Sequence, residues 1–513
     1  MTPSSRLLIP FSGKSAVSRS DVFHRTEADL KTESIADNIV FLGLYYILYY
    51  VIPLTVTPYV TRVLGTTALG VYQFSYTAAY YFVMAAMLGI LKYGQRLIAV
   101  SVPDSLSLRR NFWSLYFLHF CISVFAVVLY VLFVTLFVTE DRTVYYLQTG
   151  YVASAVFDVT WFFQGIEDFR SVLLRNAVLK LIECGLIFAF VKSPDDLHLY
   201  TLIVSSSLLL GQFVMLTKAA RIVRPIRFTE CDVRRHLKPL LVLAVSVFAV
   251  SLYTVFDKTL LGLMSSKQDV ALYEYSNRII TIPKKFLAII GTVLFPRSCK
   301  LAGEGDTEGL KRYMSYAVLL TAMIGFGSFW GLMATAPSFA VIYFGEDFAL
   351  SGKVIMALSP NILIIEFGGI LRTQYLIPKE KDREFTIGIC LNAAINLVLS
   401  ITLIPFLGIY GAVAGTTAAE IFGLIYQMNL SKEVIRWRDF FREAVPFCII
   451  GAVMFAFLKV IDSLLHLSLL SLVIQIVTGA VFYLALSWGY LTRFRPGFAS
   501  LLIDKLKGYL GRR

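Results

Sequence analysis

The sequence predicts an all-α polytopic membrane protein of about 14 transmembrane helices, built as two six-helix lobes related by a pseudo-two-fold axis along the membrane normal, plus two C-terminal helices. Three observations predict it. Apolar windows of span length recur along the chain, cations gather in alternate loops, and two sequence patterns repeat six spans apart.

The windows come first. The 513 residues are 57% hydrophobic and 16% charged, with a mean hydropathy of +0.71, far more apolar than a solvated surface allows. In hydrocarbon every backbone N–H and C=O needs a partner within the protein, so the spans are helices or a closed barrel. Runs such as Phe112 to Val138, Leu237 to Leu263, Tyr313 to Ala336 and Leu469 to Leu491 are continuously apolar rather than alternating, which selects helices. Helices are expected near 36–58, 68–91, 112–138, 144–164, 171–191, 197–217, 237–263, 271–296, 313–336, 353–377, 385–405, 408–430, 443–461 and 469–491. Residues 1–35 read as a disordered cytoplasmic tail, with a surface-bound amphipathic helix as the alternative.

The loops set the orientation. Cations dominate the N-terminal tail, the second loop (Lys92, Arg96, Arg109, Arg110) and the sixth loop (Lys218 to Lys238). They continue at Arg297 to Arg312, Lys379 to Arg383, Lys432 to Arg442 and the tail from Arg493 to Arg513. The alternate loops hold little beyond Arg62, Arg142, Lys192, Lys267 and Lys353, beside acids such as Asp141, Asp195 and Asp347. By the positive-inside rule both termini are expected in the cytoplasm. The same bias explains the net charge of +13 without nucleic acid, which would need a basic face on a soluble module. Six scattered cysteines (Cys121, Cys184, Cys231, Cys299, Cys390, Cys448) form no CxxC pair, so no metal site or cofactor is expected.

The repeat divides the spans. Val63-Leu64-Gly65 and Gly70-Val71-Tyr72-Gln73-Phe74-Ser75-Tyr76 follow the first span; Leu260-Leu261-Gly262 and Ala271-Leu272-Tyr273-Glu274-Tyr275-Ser276-Asn277 follow the seventh. Gln164 to Asp168 with Asn176-Ala177 echoes Gln374 to Asp382 with Asn392-Ala393. An offset of six spans keeps both halves in the same orientation. The expected divisions are an N-lobe at 36–217, a basic cytoplasmic linker at 218–236, a C-lobe at 237–430, a terminal pair at 443–491 and a basic tail at 492–513. Two such bundles enclose a cleft that rocking opens to either side, which suits a transporter rather than an enzyme.

At these residues the chain resembles the Wzx-type oligosaccharide flippases, the bacterial polysaccharide repeat-unit flippases of the multidrug/oligosaccharidyl-lipid/polysaccharide exporter superfamily. The resemblance rests on Thr61 to Gly65 with Gly70-Val71-Tyr72, Tyr93-Gly94-Gln95-Arg96, and Phe157 to Phe169 around Trp161, Gln164 and Asp168. It continues in Tyr253 to Lys258 with Gly262, Leu294 to Arg297, Gln374 to Pro378, and Gly408 to Thr416 followed by Glu420. These marks cover roughly residues 40–430; the long N-terminal tail departs from the pattern. The resemblance implies a transporter in the bacterial cytoplasmic membrane whose substrate is a short oligosaccharide linked through pyrophosphate to undecaprenol. It implies a cationic lumen and, as a further partner, polysaccharide polymerase machinery. Rival readings are a lipid II flippase or drug/cation antiporter of the same superfamily, and a membrane-embedded glycosyltransferase, polymerase or ligase. The short outer loops leave little room for the last group, and no GxxxxGK[ST] motif is present for ATP.

Ionisable residues inside spans mark candidate sites, because each costs at least about 2.5 kcal/mol to insert. Lys258 and Arg372 lie within apolar spans 7 and 10, and Arg62 ends span 1. Together with Arg278 they are candidates for holding a pyrophosphate, Arg through paired hydrogen bonds and Lys as a point charge; snorkelling is the alternative for Arg62. Glu274 with Arg278, and Lys180 with Glu183, have the spacing of ion pairs on one helix face. Asp158, Asp257, Glu366 and Glu420 are candidates for binding Na⁺ or H⁺ as coupling ion, since a buried carboxylate can load and unload a cation as access alternates. Tyr72 and Tyr76 on one face of span 2, like Tyr45 and Tyr49 on span 1, offer rings for sugars, with packing as the alternative. Pro283 before Lys284 and Lys285 is a candidate break in span 8, a lumen-facing kink and a misplaced span boundary being equal alternatives, and Gly368-Gly369 between Glu366 and Arg372 is the candidate hinge.

Overall fold

The computed structural model describes residues 35–102, 104–227, 231–500 and 503, and their side chains except at 35–53 and 245–254. The N-terminal tail, most of the C-terminal tail and the side chains of Tyr45 and Tyr49 lie outside the described residues. Among the described residues the regular elements are all helical, and helix occupies every expected segment. In order these are α1 (Ile35–Met87), α2 (Ile90–Ser101), α3 (Ser105–Phe137), α4 (Arg142–Leu147), α5 (Thr149–Ser154), α6 (Thr160–Gly165), α7 (Phe169–Phe190) and α8 (Leu197–Ile222). Then follow α9 (Arg234–Met264), α10 (Lys267–Gly303), α11 (Thr307–Phe339), α12 (Ala349–Leu358), α13 (Pro360–Leu371), α14 (Asp382–Leu407), α15 (Ile409–Leu430), α16 (Trp437–Leu464) and α17 (Leu469–Phe494). Ten helical stretches of the described residues are long and apolar enough to cross a membrane.

Spans 1 and 2 join into one helix, α1, interrupted at Gly65, whose φ of 71° is a conformation that glycine reaches without a Cβ penalty. Span 4, expected to run continuously, is broken into α4, α5, a 3₁₀ turn at Ala155–Phe157 and α6. Asp158 makes the break: its backbone is extended, and its carboxylate accepts the Thr160 N–H at 2.8 Å. Span 10, its counterpart, is α12, α13 and a π turn at Arg372–Leu376. Pro283 does not break span 8. Helix α10 runs through both Pro283 and Pro296 for 37 residues, about 55 Å, so it projects beyond a hydrocarbon core of about 30 Å. Lys284 and Lys285 thereby stay on a continuous helix near its middle.

Packing follows the same pattern in both halves: α7 lies against α8 as α14 lies against α15, and α3 lies against α1 as α11 lies against α10. The lobes meet at the end opposite the basic loops. There Val60, Leu64, Leu69 and Tyr72 of the first half share one buried core with Leu261, Val270, Tyr275 and Ile355 of the second. At the basic end the cores are separate, one around Ile90, Phe112 and Trp161, the other around Met314, Leu371 and Phe447. Helix α9 links the two ends. Its start, with Leu240, sits in the first-half core and His236 Nδ1 lies 2.8 Å from the Tyr93 hydroxyl, while Leu260 and Leu261 near its end join the shared core. The cleft between the lobes is therefore closed at one end and parts toward the basic loops.

Candidate functional site: a charged cleft between the lobes

Four helices supply the charges of the cleft region. Helix α9 carries Asp257 and Lys258, α10 carries Glu274, Arg278 and Lys284, α13 and its π turn carry Glu366 and Arg372, and α15 carries Glu420. Glu274 joins two cations: Lys258 Nζ lies 3.1 Å from its Oε2 and Arg278 Nε 3.0 Å from its Oε1. The four-residue spacing makes the second pair; the first crosses between helices and has no spacing signature. The Arg278 side chain keeps 45% of its surface accessible, lies 4.7 Å over the Tyr275 ring, and acts electrostatically on Tyr72, Tyr76 and Tyr200 of the first half. Those tyrosines form a ring stack, with Tyr76 on Tyr151 at 4.6 Å and Tyr72 edge-on to Tyr200 at 4.9 Å. Of the residues singled out as substrate candidates, Lys258, Arg278, Tyr72 and Tyr76 thus share one neighbourhood between the lobes.

Arg372 belongs to a second cluster. It opens the π turn, an irregularity that often marks functional sites, and its guanidinium lies over the Gly368-Gly369 pair, where a Cβ on Gly368 would come 3.6 Å from Nη1. The charges that act on Glu366 are Lys284, Arg372 and Glu420. Among the described residues the buried Gln427 Oε1 beside Gly368 has no hydrogen-bond donor.

Asp257 sits apart from both, only 7% exposed. Hydroxyls surround its carboxylate: Thr416 at 2.6 Å, Tyr273 at 3.1 Å and Ser400 at 3.3 Å, with the Asn396 amide also bonded to it. Among the described residues no ion pair holds it. A carboxylate among three hydroxyl oxygens offers oxygen ligands that a hard monovalent cation, or a proton on the carboxylate, could use.

Two candidates lie elsewhere. Arg62 is at the closed end, donating from Nη2 to the Ile342 carbonyl across the lobes. Asp158 is engaged in the span-4 break, where Gln212 Nε2 donates to it at 3.0 Å while Arg175 donates to Gln212 Oε1 at 2.6 Å. Lys180 and Glu183 pair at 2.6 Å, as their spacing requires. Sequence reasoning missed the closure itself: Lys267 Nζ lies 2.9 Å from Glu140 and 2.8 Å from Asp141, and Gln268 Nε2 donates to Thr67 Oγ1 at 2.7 Å. Its one available signal was the glycine of the repeated motif, since a Cβ on Gly70 would collide with the Lys267 carbonyl.

The profile of the polysaccharide biosynthesis protein family matches residues 35–302, which is 268 of the 513 residues. The chain belongs to this family. The profile of the lipid II flippase MurJ overlaps it, matching residues 197–487. Among curated proteins the chain is similar to one named provisionally as an O-antigen transporter of Shigella dysenteriae, 25% identical over 58% of this chain and 75% of the relative. A protein of Escherichia coli strain K12 with the same name is 22% identical over 75% of this chain and 94% of the relative. Among solved structures the fold matches the lipid II flippase MurJ in an inward closed conformation, with a TM-score of 0.65 at 14% identity over 88% of this chain and 99% of that one. It also matches an inward-facing multidrug resistance transporter of the MATE family, at 0.55 and 15% identity over 77% of this chain and 98% of that one. The chain is thus a membrane transporter of this family rather than an enzyme, helical in all its regular elements among the described residues.

Proposed function

We propose that this flippase moves oligosaccharide repeat units linked through pyrophosphate to undecaprenol from the cytoplasmic to the outer leaflet of the bacterial cytoplasmic membrane, for surface polysaccharide synthesis. The observation that carries the reading is the Lys258–Glu274–Arg278 centre beside a tyrosine stack in a cleft that parts at one end. A pyrophosphate diester needs compensating cations once it leaves water, and the rings offer faces and hydroxyls to the attached sugar. Glu274 holds the two cations apart and ready, leaving Arg278 donors for phosphate oxygens. The cation bias of the loops supports an open end, and both termini, on the cytoplasmic side. The lobes then rock so that the closed end opens, the glycan leaves, and the isoprenoid stays in lipid. An inside-negative potential favours outward movement of the anion by about 2.3 kcal/mol per charge per 100 mV. The Asp257 cage takes Na⁺ or H⁺ as coupling ion.

The match to the MurJ profile favours a second reading, lipid II itself as cargo. Complementation separates them. The proposal expects the full chain to restore surface glycan in a strain lacking its own repeat-unit flippase; rescue of a lipid II flippase depletion or of a drug-efflux mutant instead would overturn it.

A further inference from the structure

A second cationic cavity lies outside the cleft, at the basic end, where the starts of α11 and α16 meet the chain leaving α17. Lys311 and Arg312 come from the first, Arg442 from the second and Arg495 from the third, over a floor that includes Tyr316 and Phe498, whose rings pack at 5.1 Å. The acid at its centre, Glu443, has a side chain only 4% exposed and binds Arg495 Nη2 at 2.6 Å and Arg442 Nη2 at 3.4 Å. It fixes both guanidinium groups while using few of their five N–H donors each. Lys311 and Arg312 are exposed and pair with no acid among the described residues. Even counting Glu308 at the rim, cations exceed acids by four to two.

We propose that this cavity binds the phosphate headgroup of an anionic phospholipid. The setting identifies the lipid as the phosphate's source. Phe441 and Val445 beside Arg442, and Phe494 beside Arg495, are 51%, 43% and 64% exposed, so apolar surface adjoins the cations at the level where helices end. Basic pockets between helices at that level suit lipid headgroups, with acyl chains lying along the apolar flank. An occupied cavity ties the terminal pair α16–α17 to α11, the span 9 helix of the second lobe. This inference does not rest on the cargo proposed above.

Native mass spectrometry of the full-length protein in detergent, titrated separately with phosphatidylglycerol, phosphatidylcholine and inorganic phosphate, tests it. The expected result is retention of phosphatidylglycerol in preference to phosphatidylcholine. Replacing one exposed cation, Lys311→Gln, weakens it about fivefold, and Lys311→Gln with Arg312→Gln on the order of tenfold or more. Lys300→Gln, an exposed cation at the same end, leaves it unchanged. Equal retention by wild type and the double variant would overturn the proposal. Displacement of the phospholipid by an equal concentration of inorganic phosphate would do so too, by assigning the cavity to free phosphate.

Discussion

Single carboxylates organise the charges of this protein, each with a different set of partners. Glu274 balances two cations, whereas Asp257 is held, among the described residues, by hydroxyl and amide groups. If Asp257 carries the coupling ion, Asp257→Asn at wild-type expression removes the dependence of transport in inverted vesicles on Na⁺ or on the pH gradient; unaltered ion dependence would contradict that role. Asp168 is structural. It lies between spans at the basic end and caps α7, accepting from the Ser171 N–H at 3.0 Å, the Ser171 hydroxyl at 2.5 Å and Lys218 at 3.1 Å. Partial burial pushes its carboxyl up, but those three partners together hold it below the usual range. A lowered acid stabilises the fold above its unfolded pKa of about 3.9, and that stability is lost as the pH falls through the lower folded value. Asp168→Asn should therefore cost about 1 kcal/mol in thermal unfolding at neutral pH, with the difference from wild type shrinking below pH ~4. Both acids were legible from sequence, Asp257 as a charge inside a span and Asp168 within the resemblance motif. The pairing of Lys258 with Glu274 was not, because a contact between helices leaves no periodic trace.

Elements were legible where one physical signal dominated. A window of about twenty apolar residues announces a span, so each of the expected segments is helical. It says nothing of how far a lumen-facing helix continues once its sequence turns polar, and α10 overran its expected end at residue 296 to reach Gly303. Of the alternatives open at Pro283 the break is not the one adopted, because one missing N–H is tolerated within a membrane helix when neighbours supply partners. The break in span 4 was missed for the opposite reason: the apolar run continues through it, and only Asp158 betrays the turn. The contact of Gly70 with α10 is likewise an element-scale device, a point where two helices approach too closely for any side chain. Gly70→Leu should overpack this junction by about 1–3 kcal/mol and shift the protein toward the state open at that end by roughly five- to a hundredfold. Labelling of a cysteine placed in the cleft by a membrane-impermeant reagent from the outer side measures the shift.

The whole molecule has one closed end and one parted end, and the closure joins the shared apolar core to polar contacts that include Lys267 with Glu140 and Asp141, Gln268 with Thr67, and Arg62 with the Ile342 carbonyl. A cycle that must open this end requires those contacts to part. A disulfide across Thr67→Cys and Gln268→Cys should stop glycan export when oxidised and restore it on reduction; export undiminished by the crosslink would contradict alternating access. The repeat and the loop charges carry the expectation of two lobes but hold no sign of the state, because an open and a closed arrangement use the same spans. The central claim, that cations of the cleft carry a lipid-linked pyrophosphate across the bilayer, is tested most directly in proteoliposomes loaded with a fluorescent undecaprenyl-pyrophosphate-linked oligosaccharide. The account predicts leaflet-to-leaflet translocation by the wild type and its loss in a Lys258→Ala, Arg278→Ala double variant reconstituted at equal density. Translocation by the double variant at the wild-type rate would contradict it.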